Sequence, residues 1–286
     1  MTEQVFEIQQ TIDNKTFSIN MTLFSPTNSC DETIIYLHGG GLLYGTRNDL
    51  PKTYLAQFLN AGYHFLAIDY PLAPNFTATE INQSVLQSIE WFLEHFNSTL
   101  HLKKSSYIVF GRSCGSYLMF KAISGLIENK KTLPRKLINF YGYTSFDLPE
   151  FQSPSPKFHN NVNLKFEHIQ KYLTPELLTD DPSLSRFILY VYARQNGKWL
   201  DYLGISESNL KSLEVEDKLL LSFPRTFHAA SSMDQDVPFR ISKRLSKVIP
   251  YSSFYPVYNL PHDFDTTTND PQAIKAYQAL LLWLKE

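Results

Sequence analysis

Tyr107-Ile-Val-Phe-Gly-Arg-Ser-Cys-Gly-Ser116 is the stretch on which the fold turns. Its first four residues form a continuous β-branched and aromatic run, which suits a strand covered on both faces. From Gly115 to Glu128 apolar residues recur at helical spacing. Between the two, Gly111-Arg112-Ser113-Cys114-Gly115 matches the G-x-S-x-G nucleophile elbow in the strand-to-helix setting that motif requires. So tight a turn demands residues without side chains two before and two after the serine. It also holds the serine oxygen at a helix N-terminus, where developing negative charge is favoured. The competing reading is a glycine-bounded turn with an ordinary N-cap serine.

Working outward, Ile34-Ile-Tyr-Leu-His38-Gly39-Gly40-Gly41 follows another apolar run and exposes backbone N–H groups that no side chain shields. Gly39 and Gly40, with Cys114 from the elbow, are the candidate oxyanion donors. A phosphate loop is the alternative, but neither G-x-G-x-x-G nor a glycine loop ending in Lys-Ser or Lys-Thr is present. Of the eight histidines, His262 in Asn259-Leu-Pro-His-Asp-Phe264 lies in a loop between the run Ser253–Tyr258 and the final helical stretch, where a base is expected. His38, His64, His95 and His228 fit structural roles; His101, His159 and His168 fall in a connector or in the long segment described below. For the acid, Thr226-Phe-His-Ala-Ala-Ser-Ser-Met-Asp234-Gln-Asp236-Val-Pro238 offers two carboxylates. Asp234, the first after the strand, is preferred, with Asp236 as the alternative. The order Ser113, Asp234, His262 is the one expected for an elbow-type hydrolase.

Strand-like runs recur at Thr33–Leu37, His64–Ile68, Tyr107–Phe110, Leu137–Tyr141, Thr226–Ala230 and Ser253–Tyr258. Helical stretches at Pro51–Asn60, Ile81–Phe96, Gly115–Glu128, Phe239–Val248 and Pro271–Leu284 alternate with them. That order predicts an α/β fold with a mostly parallel sheet, helices on both faces and chemistry at the C-terminal strand ends. Phe6–Ile12 and Phe17–Phe24, joined by Asp13-Asn14-Lys15, predict an antiparallel hairpin at one edge. Ser145 to Ser222 greatly exceeds an ordinary connection of about 2–6 residues. It is expected to be an insertion in a single domain spanning 1–286, with helices at Asn163–Tyr172 and Ser183–Gln195, forming a helical cap over the strand ends.

With 43% hydrophobic and 14% aromatic residues, the chain can fill a large core, and some rings are expected to line a pocket. Net charge is −2 with no basic run longer than a pair, which argues against nucleic-acid binding. No apolar stretch has the length of a membrane span, and Met1–Asn20 lacks the apolar core of a signal peptide; the expected location is cytoplasmic. Cys30 and Cys114 have neither disulfide-framework nor metal-ligand spacing.

Together, His38-Gly-Gly-Gly41, Asp69-Tyr-Pro-Leu-Ala-Pro74, the elbow, Asp234 and His262 resemble the hormone-sensitive-lipase-like branch of the α/β hydrolases, over roughly Thr33–Thr144 and Thr226–Glu286. The resemblance implies the α/β-hydrolase fold and hydrolysis of carboxylic esters, often short-chain, with no metal or organic cofactor. It implies a structural role for Asp69–Pro74 beneath the site. The branch usually has an acidic residue and two small ones where Arg112, Cys114 and Ser116 stand. Arg112 beside the nucleophile either favours an anionic substrate or pairs with a carboxylate. The branch's N-terminal helical cap segment has no counterpart before Thr33. An amide or peptide hydrolase with the same residues, and a non-catalytic ligand-binding protein on the same fold, are the rival readings. The final strand and helix can pair two chains into a homodimer, although nothing in the residues requires it.

Overall fold

Eight strands form one sheet in the computed structural model, which describes residues 1–159 and 163–286. In chain order the elements up to the long connection are β1 (Thr2–Ile12), β2 (Lys15–Ser25), β3 (Thr33–Leu37), α1 (Lys52–Asn60), β4 (His64–Ile68), α2 (Ala78–His95), β5 (Tyr107–Arg112), α3 (Cys114–Glu128) and β6 (Lys136–Phe140). The connection carries α4 (Pro149–Gln152), α5 (Pro156–His159), α6 (Phe166–Ile169), α7 (Phe187–Gln195), α8 (Trp199–Tyr202) and α9 (Asp217–Leu220). β7 (Thr226–Ser231), α10 (Phe239–Val248), β8 (Ser253–Val257) and α11 (Pro271–Leu284) complete the chain.

The strands lie in the order β1-β2-β4-β3-β5-β6-β7-β8. β4, β3, β5, β6, β7 and β8 run parallel, and the β1–β2 hairpin adds antiparallel to β4. Alternation along each strand divides the core into two. Ile35, Leu37, Leu66, Ile68, Val109 and Leu137 pack on one face against α2 and α3. Ile34, Tyr36, Phe65, Ala67, Ile108 and Phe110 pack on the other against α1 and α11. Both faces are covered, so the strands read as unbroken apolar runs rather than as alternating ones. Near the middle of the sheet, β5 brings the Ser113 turn to its C-terminal edge, the edge at which open α/β sheets carry their sites.

The insertion is helical but more broken than its sequence suggests. Of Asn163–Tyr172, the helix begins only at Phe166 and tightens into a 3₁₀ turn over Gln170–Tyr172. Of Ser183–Gln195, regular helix starts at Phe187. Asp181 explains the delay: its carboxylate accepts from the Ser183 and Ser185 hydroxyls and from the Ser185 and Arg186 amides, holding those residues in a capping turn. Phe146, Phe151, Tyr143 and Trp199 meet edge to face and tie the insertion to the end of β6. Among the described residues no helix is long and apolar enough to cross a membrane.

Candidate active site

Ser113 sits between β5 and α3 with φ 53° and ψ −121°, a left-handed backbone that a side-chain-bearing residue adopts only when its surroundings enforce it. The enforcement comes from two glycines. A Cβ on Gly111 would stand 2.4 Å from the Ser116 amide nitrogen, and one on Gly115 would stand 2.2 Å from the Leu37 carbonyl oxygen. The helix start therefore packs directly onto the backbone of β5 and β3, and the Ser113 N–H donates to the Phe140 carbonyl at 2.9 Å.

His262, in the loop after β8, brings Nε2 to 2.9 Å from Ser113 Oγ. On the other side of the ring, Nδ1 lies 2.7 Å from Asp234 Oδ2 in the loop after β7. Asp234 Oδ1 is fixed in turn by the amides of Asp236 and Val237. Asp236, the alternative acid, is instead taken by Lys157 at 2.5 Å, by the Tyr190 hydroxyl at 3.3 Å and by Arg194 at 3.9 Å. Burial alone lowers the His262 pKa, but Asp234, Asp263 and Asp236 outweigh it and raise the pKa to about 9.

The glycine loop follows β3 along the same edge. Gly40 has φ 107°, and a Cβ there would overlap the Tyr44 carbonyl oxygen at 1.9 Å. Among the described residues, no group accepts a hydrogen bond from the N–H of Gly39, Gly40 or Cys114. The Tyr70 hydroxyl, within the Asp69–Pro74 element, lies 2.9 Å from the His38 carbonyl and 3.0 Å from the Gly39 carbonyl, bracing the loop from below. Asp69 pairs with Arg47. His38 is buried, stacks on Tyr70 and lies with Nδ1 2.7 Å from the Gly39 carbonyl; burial lowers its pKa to about 3, so it stays neutral. The Cys114 thiol is buried too, accepts the Leu42 N–H and has its pKa pushed up by burial to about 11. His228 lies buried between Asn139 and Ser252, His64 between Ser25 and Ser29, and His95 against the Trp91 carbonyl, all structural placements. The side chain of His159 falls outside the described residues.

Arg112 does not face the site. It is 3% exposed and its guanidinium is spent on Asp265, Asp49 and Tyr141, so the carboxylate-paired alternative is the one observed. A cavity of about 150 Å³ opens above Ser113 and His262, walled by Gly41, Tyr44, Phe158, Phe187 and Tyr190 with Lys157 beside them. A larger trough of about 600 Å³, between α1 and the hairpin, holds none of the candidate site residues. Phe158, Lys157, Phe187 and Tyr190 all come from the insertion, and the sequence gives no motif to single them out. Asp49 and Asp265 were also invisible, since the pairing of Arg112 with a carboxylate named no partner. Only the Asp265 position, three residues beyond His262, offered a hint.

A family model for the alpha/beta hydrolase fold matches residues 34–193. The chain is similar to an alpha/beta hydrolase superfamily protein from Enterococcus faecalis, with 34% identity, 98% of each chain covered and a TM-score of 0.85. A protein of unknown function from Staphylococcus aureus shares 28% identity over 99% of this chain and 98% of that one, at a TM-score of 0.83. Carboxyl esterase 2 from Tuber melanosporum shares the fold at 17% identity, covering 98% of this chain and 85% of that one, with a TM-score of 0.71. Among curated proteins, a non-reducing polyketide synthase of Emericella nidulans is 25% identical over 181 residues, which is 61% of this chain but only 7% of that protein.

Proposed function

The chain belongs to the α/β-hydrolase fold family, and from that premise we propose that it is a serine hydrolase of carboxylic esters working through an acyl-enzyme on Ser113. The observation that carries the reading is the hydrogen-bonded chain from Ser113 Oγ through the His262 ring to Asp234, set at the foot of a small cavity. In the proposed sequence, His262 Nε2 takes the Ser113 proton as Oγ attacks the ester carbonyl. The oxyanion settles among the N–H groups of Gly39, Gly40 and Cys114. His262 returns the proton to the leaving alcohol, and water, activated by the same ring, releases the acid. Asp234 holds the Nδ1–H and stabilises the imidazolium without taking the proton.

The cavity volume supports a small acyl or alcohol group, since about 150 Å³ is room for a molecule the size of benzene. The glycine loop and the Asp69–Pro74 brace support placement in the hormone-sensitive-lipase-like branch, with residues 145–222 acting as the cap. The test is a fluorophosphonate probe followed by peptide mass spectrometry, with Ser113→Ala, Asp234→Asn and His262→Ala beside the wild type. An adduct on Ser113 is expected, with its formation slowed on the order of 10⁴-fold in Asp234→Asn. No adduct on folded wild-type protein would reject the hydrolase reading in favour of ligand binding without turnover. A panel of short and long esters against matching amides then fixes the leaving group.

A further inference from the structure

Arg112 is the covalent neighbour of Ser113, and Asp265 lies three residues beyond His262. Their side chains meet at 2.8 Å, both buried. Asp265 also accepts from the Tyr141 hydroxyl at 2.6 Å and the Tyr277 hydroxyl at 2.7 Å, so both its oxygens are engaged. Arg112 Nε donates to Tyr141 Oη at 2.7 Å, and Nη1 reaches Asp49 at 3.1 Å. The Tyr141 ring packs edge-on against His262, with centroids 4.7 Å apart, from a left-handed backbone at φ 42°. The loop between β8 and α11 has no regular secondary structure of its own, so contacts of this kind must fix where His262 stands.

We propose that Arg112 is a positioning residue: through Asp265 and Tyr141 it locks the His262 loop against the Ser113 turn and so sets the distance between the two reacting atoms. This rests on the reading of Ser113 and His262 as the reacting pair. The ion pair and the Ser113–His262 contact join the same two segments, the one at Arg112–Ser113 and the other at His262–Asp265, so slack in the first appears directly in the second. Arginine is the residue for the task because one planar group reaches Tyr141, Asp49 and Asp265 together, which a lysine ammonium on a flexible stem does not do in a fixed geometry.

The test uses the full chain with Arg112→Lys, Asp265→Asn and Tyr141→Phe, each first checked for a cooperative melt. Tyr141→Phe keeps the ring against His262 and removes only a hydroxyl, so it supplies a folded variant if the charge changes do not. Two readouts are taken below each melting temperature. With p-nitrophenyl acetate, kcat is expected to fall on the order of 10²-fold in Arg112→Lys and Asp265→Asn and by less in Tyr141→Phe, with KM little changed. In proton NMR, the downfield resonance of the His262 Nδ1–H is expected to broaden in the same rank order. Unchanged kcat per folded molecule together with an unchanged resonance would overturn the proposal and leave Arg112 a core ion pair. Wild-type protein that neither turns over nor takes the fluorophosphonate would refute the hydrolase reading, and the resonance would still decide the clamp.

Discussion

Three carboxylates crowd His262, and they serve different ends. Asp234 makes the hydrogen bond, Asp236 holds the insertion through Lys157, and Asp263, with Oδ1 3.8 Å from Nε2, stands at the cavity mouth with its side chain 43% exposed. Their sum keeps the imidazolium stable up to about pH 9. A general base must be unprotonated, so kcat/KM and the labelling rate are expected to rise with pH toward that value. Asp263→Asn removes one of the charges that raises the pKa, so its rising limb should move to lower pH; a limb that stays in place in a pH profile would show that Asp263 does not govern the base. At this scale the candidate residues Ser113, Asp234 and His262 are legible in the sequence because each follows the end of a different strand, and the structure joins the three in one hydrogen-bonded chain. The choice of Asp234 over Asp236 rests on its coming first after the strand and on its spacing to Pro238, which leaves the next helix free to start, while the structure separates the two by partner. Tyr190 and Lys157 were unreadable because their meaning comes from contacts across the chain.

Elements are decided by their ends. α2 begins with a reciprocal cap in which the Thr77 hydroxyl accepts from the Glu80 amide and the Glu80 carboxylate accepts from the Thr77 amide at 2.7 Å. Lys15 from the hairpin then pairs with the same carboxylate at 2.7 Å. One cap thus joins a helix start to the edge of the sheet. Thr77→Ala is expected to lower stability by about 1 kcal/mol in urea denaturation while leaving the Ser113 labelling rate unchanged. The apolar repeat predicts this helix from Ile81, whereas the structure begins it at Ala78, because the Thr77–Glu80 cap precedes the first clear apolar repeat. Strands fared better. Their continuous β-branched and aromatic runs reported burial on both faces, and the runs at β3 and β4 match the observed strands residue for residue. The insertion fared worst: helices of four residues leave too little periodicity to read, and Asp181 delays α7 by capping a turn.

Across the whole molecule, the insertion furnishes the aromatic wall of the cavity and also holds the glycine loop. Trp199, in α8, donates its indole N–H to the Gly41 carbonyl at 2.9 Å, a contact between residues 158 apart in sequence. Trp199→Phe keeps most of the ring packing but leaves that carbonyl without its donor. The expected cost is about 1–3 kcal/mol, read as a lower denaturation midpoint, with a larger fractional loss of kcat than of KM. If kcat per folded molecule is unchanged, the loop does not depend on the indole.

The contacts between the insertion and the glycine loop also set how the protein opens. Segments held by few contacts open at lower free energy than the sheet beneath them. The insertion is built from short helices and meets the glycine loop and its continuation through a handful of contacts: the Trp199 indole, the Tyr190 ring against Gly41, the Phe187 ring against Tyr44, and the Asp181 N–H on the Gly45 carbonyl. Hydrogen exchange at Leu42 and Leu43, whose N–H groups are hydrogen-bonded, should therefore follow the opening of residues 145–222 and not the global unfolding that releases β5. A rise in temperature or denaturant would switch turnover off in a molecule whose sheet is still whole, and cooling would restore it without refolding.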